Sequence, residues 1–219
     1  MSLQNVTLPS YSKTEEILNS VSHGLGIPMG IIFCVLLLIR PVNGNEIAGS
    51  LIFVFSVIVL YSCSMLYHSL KAGTAKKVMR LIDHSAIFIM ITGTILALNV
   101  IGVFPFEKLF SLSTAGISVI LSVVGIILTF IDQEKYKKVQ LVLYVIVGST
   151  CLAIIYPFIK YNEEPWSSVI LLAVGAVVYL IGMALYISGK KKKYFHSVFH
   201  LFVLAGTVLH FCAIYFVLK

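Results

Sequence analysis

Long runs of apolar residues alternate with short polar connections along the whole chain. Each run is close to the twenty residues that an α-helix needs to cross the roughly 30 Å hydrocarbon core of a bilayer. The pattern predicts an all-α, polytopic membrane protein with seven transmembrane helices. The predicted spans are 20–39, 47–70, 81–103, 110–131, 138–159, 166–188 and 195–217. Because the connections are short, neighbouring helices should pack antiparallel.

Helix-breaking residues mark several of the span boundaries. They occur in residues 41–45, which begin with Pro41, at Pro105, and in residues 162–165. Pro28 lies inside the first predicted span, where its ring should kink the helix. Residues 1–17 are polar and lack the features of a cleavable signal peptide. We therefore expect one membrane domain over 1–219, with 1–17 as a cytoplasmic tail.

Lysine and arginine are unequally divided between the two sides of this predicted bundle. Twelve of the sixteen lie in the N-terminal tail and in the connections after spans 2, 4 and 6, including the run from Lys190 to Lys193. The other four are Arg40, Lys108, Lys160 and Lys219. The positive-inside rule then predicts a cytoplasmic N-terminus and an outside C-terminus in a multi-pass membrane protein.

The composition restricts the class of function. The chain is 59% hydrophobic and only 11% charged, too little charge to cover the surface of a soluble domain. The net charge of +7 is explained by membrane orientation, so no nucleic-acid partner is expected. The expected partners are membrane lipids. No soluble partner is indicated, and assembly with further copies of the chain stays open.

Four ionisable residues lie at a similar depth inside the predicted spans. Ionisable groups in a bilayer are costly and usually functional. His68, Asp83 and His196 are each three residues from a lysine or arginine at the membrane border, roughly 5 Å along a helix, and His200 lies about 10 Å in. The helices should therefore bring three imidazoles and one carboxylate into one layer.

This layer has the chemistry of a metal site. His196 and His200 are four residues apart and share one helix face, and Ser64 and His68 have the same spacing. Three neutral imidazoles suit Zn²⁺ and leave its fourth position open, as in catalytic zinc sites. Asp83 would then accept the proton of the bound water, and Ser64 would orient a ligand. A metal that only joins spans 2 and 7 is the alternative, and Ser64 could instead bond to its own helix.

The roles of three further histidines are not fixed by spacing. His23 lies on one helix stripe with Glu16 and Asn19 in the same layer, where they could line the site or serve as helix-end polarity. His84 points away from Asp83 and is expected at a helix interface. His210 is expected to be a hydrogen-bonded histidine of the bundle core.

At these residues the chain resembles the hemolysin III family, the bacterial branch of the progestin and adipoQ receptor superfamily. The matching segments are Glu16-Ile-Leu-Asn19 with Ser22-His23-Gly24, Ser64-Met-Leu-Tyr-His68, Asp83-His-Ser-Ala-Ile-Phe88 with Gly93-Thr94, and His196-Ser-Val-Phe-His200. They occur in the family's order over nearly the whole chain.

The resemblance implies seven helices with a cytoplasmic N-terminus and zinc held by His68, His196 and His200. It also implies that Asp83 holds the water on the metal, with Ser64 nearby. The superfamily is similar to alkaline ceramidases, which hydrolyse lipid amides, and other members are linked to membrane-fluidity homeostasis. The bacterial branch is named for a haemolytic, pore-forming activity.

Three hypotheses of function follow. The first is a zinc-dependent hydrolase of a lipid amide or ester, ceramidase-like in its chemistry. The second is a cytolytic, pore-forming protein whose zinc is structural, although seven apolar spans without an amphipathic repeat do not favour a self-inserting toxin. The third is a receptor or sensor in which a bound lipid shifts the helix bundle.

Overall fold

A computed structural model describes residues 3–40, 43–189 and 192–218, and these residues form helices joined by short connections. A 3₁₀ turn, Leu3–Asn5, precedes the helices. The helices are α1 (Lys13–Gly24), α2 (Gly26–Leu38), α3 (Gly44–Ser69), α4 (Thr74–Gly102), α5 (Lys108–Ser149), α6 (Cys151–Tyr161), α7 (Pro165–Ser188) and α8 (Phe195–Val217). The predicted boundary residue Pro41 and the charges Lys190, Lys191 and Lys219 lie outside the described residues.

Six helical stretches in the described residues are long and apolar enough to cross a membrane. They are Lys13–Leu38, Gly44–Ser69, Thr74–Gly102, Lys108–Tyr161, Pro165–Ser188 and Phe195–Val217. The protein is therefore an all-helical membrane protein, as the hydrophobic pattern predicts.

Two of these stretches are interrupted, each for a local reason. The first is interrupted between α1 and α2, next to Gly24. Pro28 lies four residues after Gly24. It has no N–H to donate to the Gly24 carbonyl, and its ring displaces that carbonyl from the helix. Inside α5, Asp132 leaves the helical conformation (φ −161°, ψ 94°), and its Oδ1 accepts the backbone N–H of Lys135 at 3.0 Å. That bond is an N-cap, so a new helix begins directly after Asp132.

The length of α5 agrees with this interruption. Its 42 residues would extend roughly 63 Å as one rod, about twice the hydrocarbon thickness. Asn5 donates to Asp132 Oδ2 at 2.8 Å, so the break is also held by the N-terminal segment. The two parts of α5 therefore lie on either side of a fixed turn.

Polar contacts tie four separate segments together at one end of the bundle, here called the N-terminal end. Lys77 donates to the Leu3 carbonyl at 3.1 Å, and Arg80 donates to the carbonyl of Thr7. Tyr194, just before α8, donates its backbone N–H to Glu15 of α1 at 3.0 Å. The N-terminal segment, the start of α4, the break at Asp132 and the start of α8 thus share this end.

The opposite end is held by its own contacts. Arg40 after α2 donates to the Tyr215 carbonyl at 3.0 Å, and Asn162 donates to the Gly102 carbonyl at 3.3 Å. Near the same end, Asn99 in the last turn of α4 donates to Thr114 of α5 at 2.8 Å. Such interhelical hydrogen bonds are a main source of cohesion where the surrounding lipid is as apolar as the side chains.

Helix α4 is the centre of the bundle and α7 lies at its edge. In the most apolar part of α4, 72% of residues are buried, against 17% in α7. Most apolar side chains of α7 therefore contact the hydrocarbon of the membrane rather than protein. The central position of α4 places Asp83, in the third turn of this helix, inside the bundle, where α4 packs against α3 and α8.

Candidate metal centre

Three imidazoles converge at the N-terminal end of the bundle. His68 lies in the last turn of α3, and His196 and His200 lie in the first two turns of α8. The Nε2 atom of His196 is 3.2 Å from Nε2 of His68 and 3.1 Å from Nε2 of His200. All three candidate ligand atoms lie within 4.8 Å of one another. The structure therefore brings together the three histidines that the sequence predicts as ligands.

The start of α8 is positioned by α1. Tyr194 has a left-handed backbone (φ 65°), which is uncommon for a residue other than glycine. Its N–H bonds to Glu15, whose other contacts are the capping-box bonds with Ser12 at the start of α1. One carboxylate thus fixes the first turn of α1 and the first turn of α8. This places His196 opposite His68.

Hydrogen bonds determine which nitrogen of two of these rings can bind a metal. His68 Nδ1 is 2.7 Å from Glu16 Oε2, and His200 Nδ1 is 3.2 Å from the Asn19 carbonyl and 3.0 Å from Ser22 Oγ. Carboxylate and carbonyl oxygens only accept, so both Nδ1 atoms carry the proton. The Nε2 lone pairs of His68 and His200 therefore point into the cluster, as a metal ligand requires.

The arrangement fits a cation. Facing lone pairs repel one another unless a positive charge lies between them. Three nitrogens bound to a tetrahedral zinc ion at 2.0–2.1 Å would lie roughly 3.3–3.4 Å apart, close to the two spacings found here. The buried Nδ1 of His196 has no hydrogen-bond partner among the described residues. The cluster could therefore hold a metal ion through three Nε2 atoms.

Asp83 and Ser64 lie beside this cluster. Ser64 is one turn before His68 on α3, and both Ser64 and Asp83 are buried. The Asp83 carboxylate is close enough to Ser64 and to His68 to interact electrostatically with both side chains. The predicted base and the predicted polar neighbour thus share one layer with the candidate ligands.

Residues 11–211 match the sequence profile of a family described as Haemolysin-III related. The chain belongs to this family. It is 29% identical over 209 residues to a protein named Hemolysin-3 homolog from Bacillus subtilis (strain 168), covering 94% of this chain and 95% of that protein. It is 28% identical over 211 residues to Hemolysin-3 of Bacillus cereus, covering 93% and 92%. No solved structure matches the chain significantly.

Family membership and the six apolar helices identify a multi-pass protein of the bacterial cell membrane. The resemblance found in the sequence motifs is thereby confirmed. The match begins at Tyr11 and ends at Phe211, so all of the candidate ligands, together with Ser64 and Asp83, lie inside the part that defines the family.

Aromatic rings pack around the histidine cluster of this chain. Tyr11, in the segment before α1, stacks on His196 with ring centroids 5.2 Å apart and planes at 21°. The ring of Tyr186 is 5.8 Å from the same histidine, and that of Phe199 is 5.6 Å away. Burial raises the pKa of Tyr11 well above its usual range, so the phenol is neutral. Sequence analysis assigned Tyr11 to a polar tail, and no spacing rule indicates its position.

The remaining histidines occupy three different environments. His23 stacks on His200 at 3.5 Å between ring centroids, and neither of its ring nitrogens has a hydrogen-bond partner among the described residues. His84 Nδ1 donates to the Arg80 carbonyl at 2.9 Å, while the His84 carbonyl accepts from Tyr144 of α5. His210 Nε2 is 3.3 Å from the Leu172 carbonyl of α7. His84 and His210 therefore join helices outside the cluster.

Sequence analysis missed one charged residue at the site. Lys76 was counted as one of the charges that orient the protein in the membrane. In the structure its ammonium bonds to Glu16 at 2.6 Å, and Glu16 in turn bonds to His68. A lysine beside a predicted connection looks solvated in the sequence, so only the packing of α1 against α4 could reveal this contact.

Proposed function

We propose that the protein is a zinc-dependent hydrolase that cleaves an amide or ester bond of a membrane lipid and acts in membrane homeostasis. The observation that carries this proposal is the set of three Nε2 atoms that face one another. In His68 and His200 the proton is on Nδ1, so their Nε2 lone pairs are free to bind a metal. A carboxylate and a hydroxyl beside the ligands are the groups that hydrolysis needs in addition.

Zinc is the metal that this ligand set favours. Neutral imidazoles suit zinc, and three protein ligands are typical of its catalytic sites, where a fourth position is open. A zinc ion held by His68, His196 and His200 would supply Lewis acidity at that open position. Copper also binds imidazole, so identifying the metal by elemental analysis is part of the test.

The roles of the protein groups follow from their chemistry. Asp83 would accept a proton from the attacking water and pass it to the departing nitrogen or oxygen of the substrate. Ser64, which lies beside the Asp83 carboxylate, would orient a ligand or donate a hydrogen bond to the developing oxyanion. Tyr11, which stacks on His196 from outside the bundle, would limit the access of bulk water.

The depth of the cluster suggests a lipid substrate. His68 lies three residues before Lys71, and His196 lies three residues after Lys193, so both are roughly 5 Å below the charged border. Amide and ester bonds of membrane lipids occur at this depth, between the polar headgroup and the hydrocarbon chains. A substrate could thus place its scissile bond at the metal while its chains stay in the bilayer.

We further propose seven membrane crossings with a cytoplasmic N-terminus and an outside C-terminus. The stretch Lys108–Tyr161 would cross twice, turning at Asp132, and the other five stretches once each. The metal centre would then lie on the cytoplasmic side. The twelve-to-four division of lysine and arginine supports this orientation.

The test combines metal content with turnover. Purified wild-type protein should contain about one zinc ion, and it should hydrolyse at least one member of a broad panel of lipid amides and esters. Asp83→Asn should keep the zinc and lose activity by about 10²- to 10⁴-fold, the usual contribution of a general base. An Asp83→Asn variant with full activity would exclude Asp83 as the base, and a zinc-loaded wild type that hydrolyses nothing would contradict the hydrolase.

The printed names of the relatives favour one alternative, membrane lysis, with any bound zinc serving only structure. Liposomes containing the purified wild type or His196→Ala separate the two ideas. A hydrolase leaves the liposomes sealed with either variant. A lytic protein releases an entrapped dye. The amount of dye released then depends on whether the variant is folded and not on whether it hydrolyses lipid.

A further inference from the structure

Lys76 is a buried lysine that lies next to the candidate metal centre. It lies in the first turn of α4 and is only 4% exposed. Its Nζ donates to Glu16 Oε1 at 2.6 Å and to the Leu70 carbonyl, at the end of α3, at 2.9 Å. Nζ also lies 5.2 Å from the centre of the Tyr67 ring. Burying an ammonium is unfavourable unless such partners replace its water.

The Glu16 carboxylate divides its two oxygens between two partners. Oε1 accepts from Lys76, and Oε2 lies 2.7 Å from His68 Nδ1. These three side chains come from α1, α3 and α4, so they form a bridge from the start of α4 to a candidate metal ligand. The fixed ammonium leaves the carboxylate with one orientation, in which Oε2 faces the imidazole.

His68 and His200 differ in the charge of the group that their Nδ1 atoms contact. His200 Nδ1 is bonded by neutral groups, the Asn19 carbonyl and the Ser22 hydroxyl. His68 Nδ1 is bonded by a carboxylate, and a charged acceptor makes a stronger hydrogen bond that holds the ring orientation more firmly. His68 is therefore the ligand whose affinity for the metal depends most on its hydrogen-bond partner.

We propose that Lys76 is a positioning residue of the metal centre: its ammonium holds the Glu16 carboxylate that orients and polarises His68. This inference rests on the proposed metal binding. A solvated lysine would orient the protein in the membrane equally well. The burial of Lys76 therefore indicates a second role. Among the described residues, Glu16 is the side chain that links the Lys76 ammonium to His68 Nδ1 by hydrogen bonds.

The experiment measures zinc affinity of the full-length protein in detergent, by competition with a chelator of known affinity. Lys76→Met and Glu16→Gln should each weaken zinc binding by about 10-fold, within the range seen when groups that orient a metal ligand are removed. The double variant should be no weaker than Glu16→Gln alone, because both substitutions break the same bridge. Lys76→Arg, which can still bond to the carboxylate, should recover most of the affinity.

Lys77→Met is the matched control. Lys77 is the next residue and carries the same charge, but it bonds to the Leu3 carbonyl rather than to Glu16. Its loss should leave zinc affinity within about twofold, which excludes a general effect of removing one positive charge. A second readout is the visible spectrum of the cobalt-substituted protein, which should change in Lys76→Met and stay unchanged in Lys77→Met.

The outcomes distinguish this inference from the proposed function. Wild type that binds zinc tightly, with equal affinity in Lys76→Met, overturns the role of Lys76 and leaves the metal centre standing. Wild type that binds no zinc overturns both. If Lys76→Met does not fold, Glu16→Gln carries the test, since it keeps the shape of the side chain: an unchanged zinc affinity there overturns the bridge.

Discussion

Helices α3 and α8 contribute two polar layers to the bundle, and the two differ in how their hydrogen bonds are satisfied. The first layer contains His68 and His200. The second contains Tyr61 and Thr207, each seven residues away on the same helix, so the layers are roughly 10 Å apart. Both layers are buried. The first contains His200 of α8, and the second lies near His210 of the same helix. Sequence spacing alone cannot tell which of them is a site.

The second layer is complete without any ligand. Thr207 Oγ1 is 2.7 Å from the Tyr61 hydroxyl and 2.9 Å from the Tyr179 hydroxyl, and it donates to the Val203 carbonyl at 2.9 Å. The ring of His210 packs edge-on against Tyr179 with centroids 5.1 Å apart. Every polar group of this layer finds a protein partner at ordinary distances, which is typical of a structural network.

The first layer is not complete in this sense. Its Nε2 atoms face one another at 3.1 and 3.2 Å, while the Nδ1 atoms of His68 and His200 donate elsewhere. A cation at this point would use all three lone pairs at once, which the single proton of His196 cannot do as well. The comparison teaches that buried histidines point to a metal when the nitrogens left without an acceptor converge on one position, as the Nε2 atoms do here. Partial burial and one hydrogen bond to a carbonyl are not enough, since His210 has both.

The largest expected effect separates the two layers directly. His196→Ala should weaken zinc binding by more than about 100-fold, because it removes a ligand rather than a group that orients one. His210→Ala is the matched control from the same helix and should bind zinc as the wild type does. Elemental analysis and chelator competition on the purified variants check both. Zinc retained by His196→Ala would contradict the assignment of the first layer.

Much of this site could be predicted from the sequence. The four-residue spacing fixed the common face of His196 and His200, and the distance of each polar residue from the nearest lysine or arginine predicted the depth at which His68 and Asp83 lie. The break at Asp132 also falls in the predicted connection between spans 4 and 5. These features are local or follow from helix geometry, which is why one sequence is enough to predict them.

Other features depend on tertiary packing that no spacing rule reveals. Lys76 looked like a solvated charge, Tyr11 belonged to a presumed tail, and α1 begins at Lys13, seven residues before the predicted first span. Each of these residues is placed by contacts with a segment that is distant in the chain. The tail is held by Lys77 and Arg80 of α4, and that attachment brings Tyr11 over His196.

The smallest expected effect tests whether the two layers are independent. Thr207→Val removes the shared partner of Tyr61 and Tyr179. It should lower the free energy of unfolding of the zinc-free protein by about 1–2 kcal/mol, near 0.6–1 kcal/mol for each of the two lost bonds to a tyrosine. Zinc affinity should stay within about twofold. Thermal unfolding of the zinc-free protein and chelator competition measure the two quantities on the same preparation.

One contact could couple the layers. His23 stacks on His200 at 3.5 Å between ring centroids and meets Tyr61 edge-on at 5.2 Å, so it lies between them. If Thr207→Val weakened zinc binding tenfold, the displaced Tyr61 ring would have shifted His200 through His23, and the second layer would be part of the metal centre. Tyr61→Phe keeps the ring against His23 while removing only the hydroxyl. It should therefore reproduce a share of the stability loss of Thr207→Val with no change in zinc affinity, whichever result Thr207→Val gives.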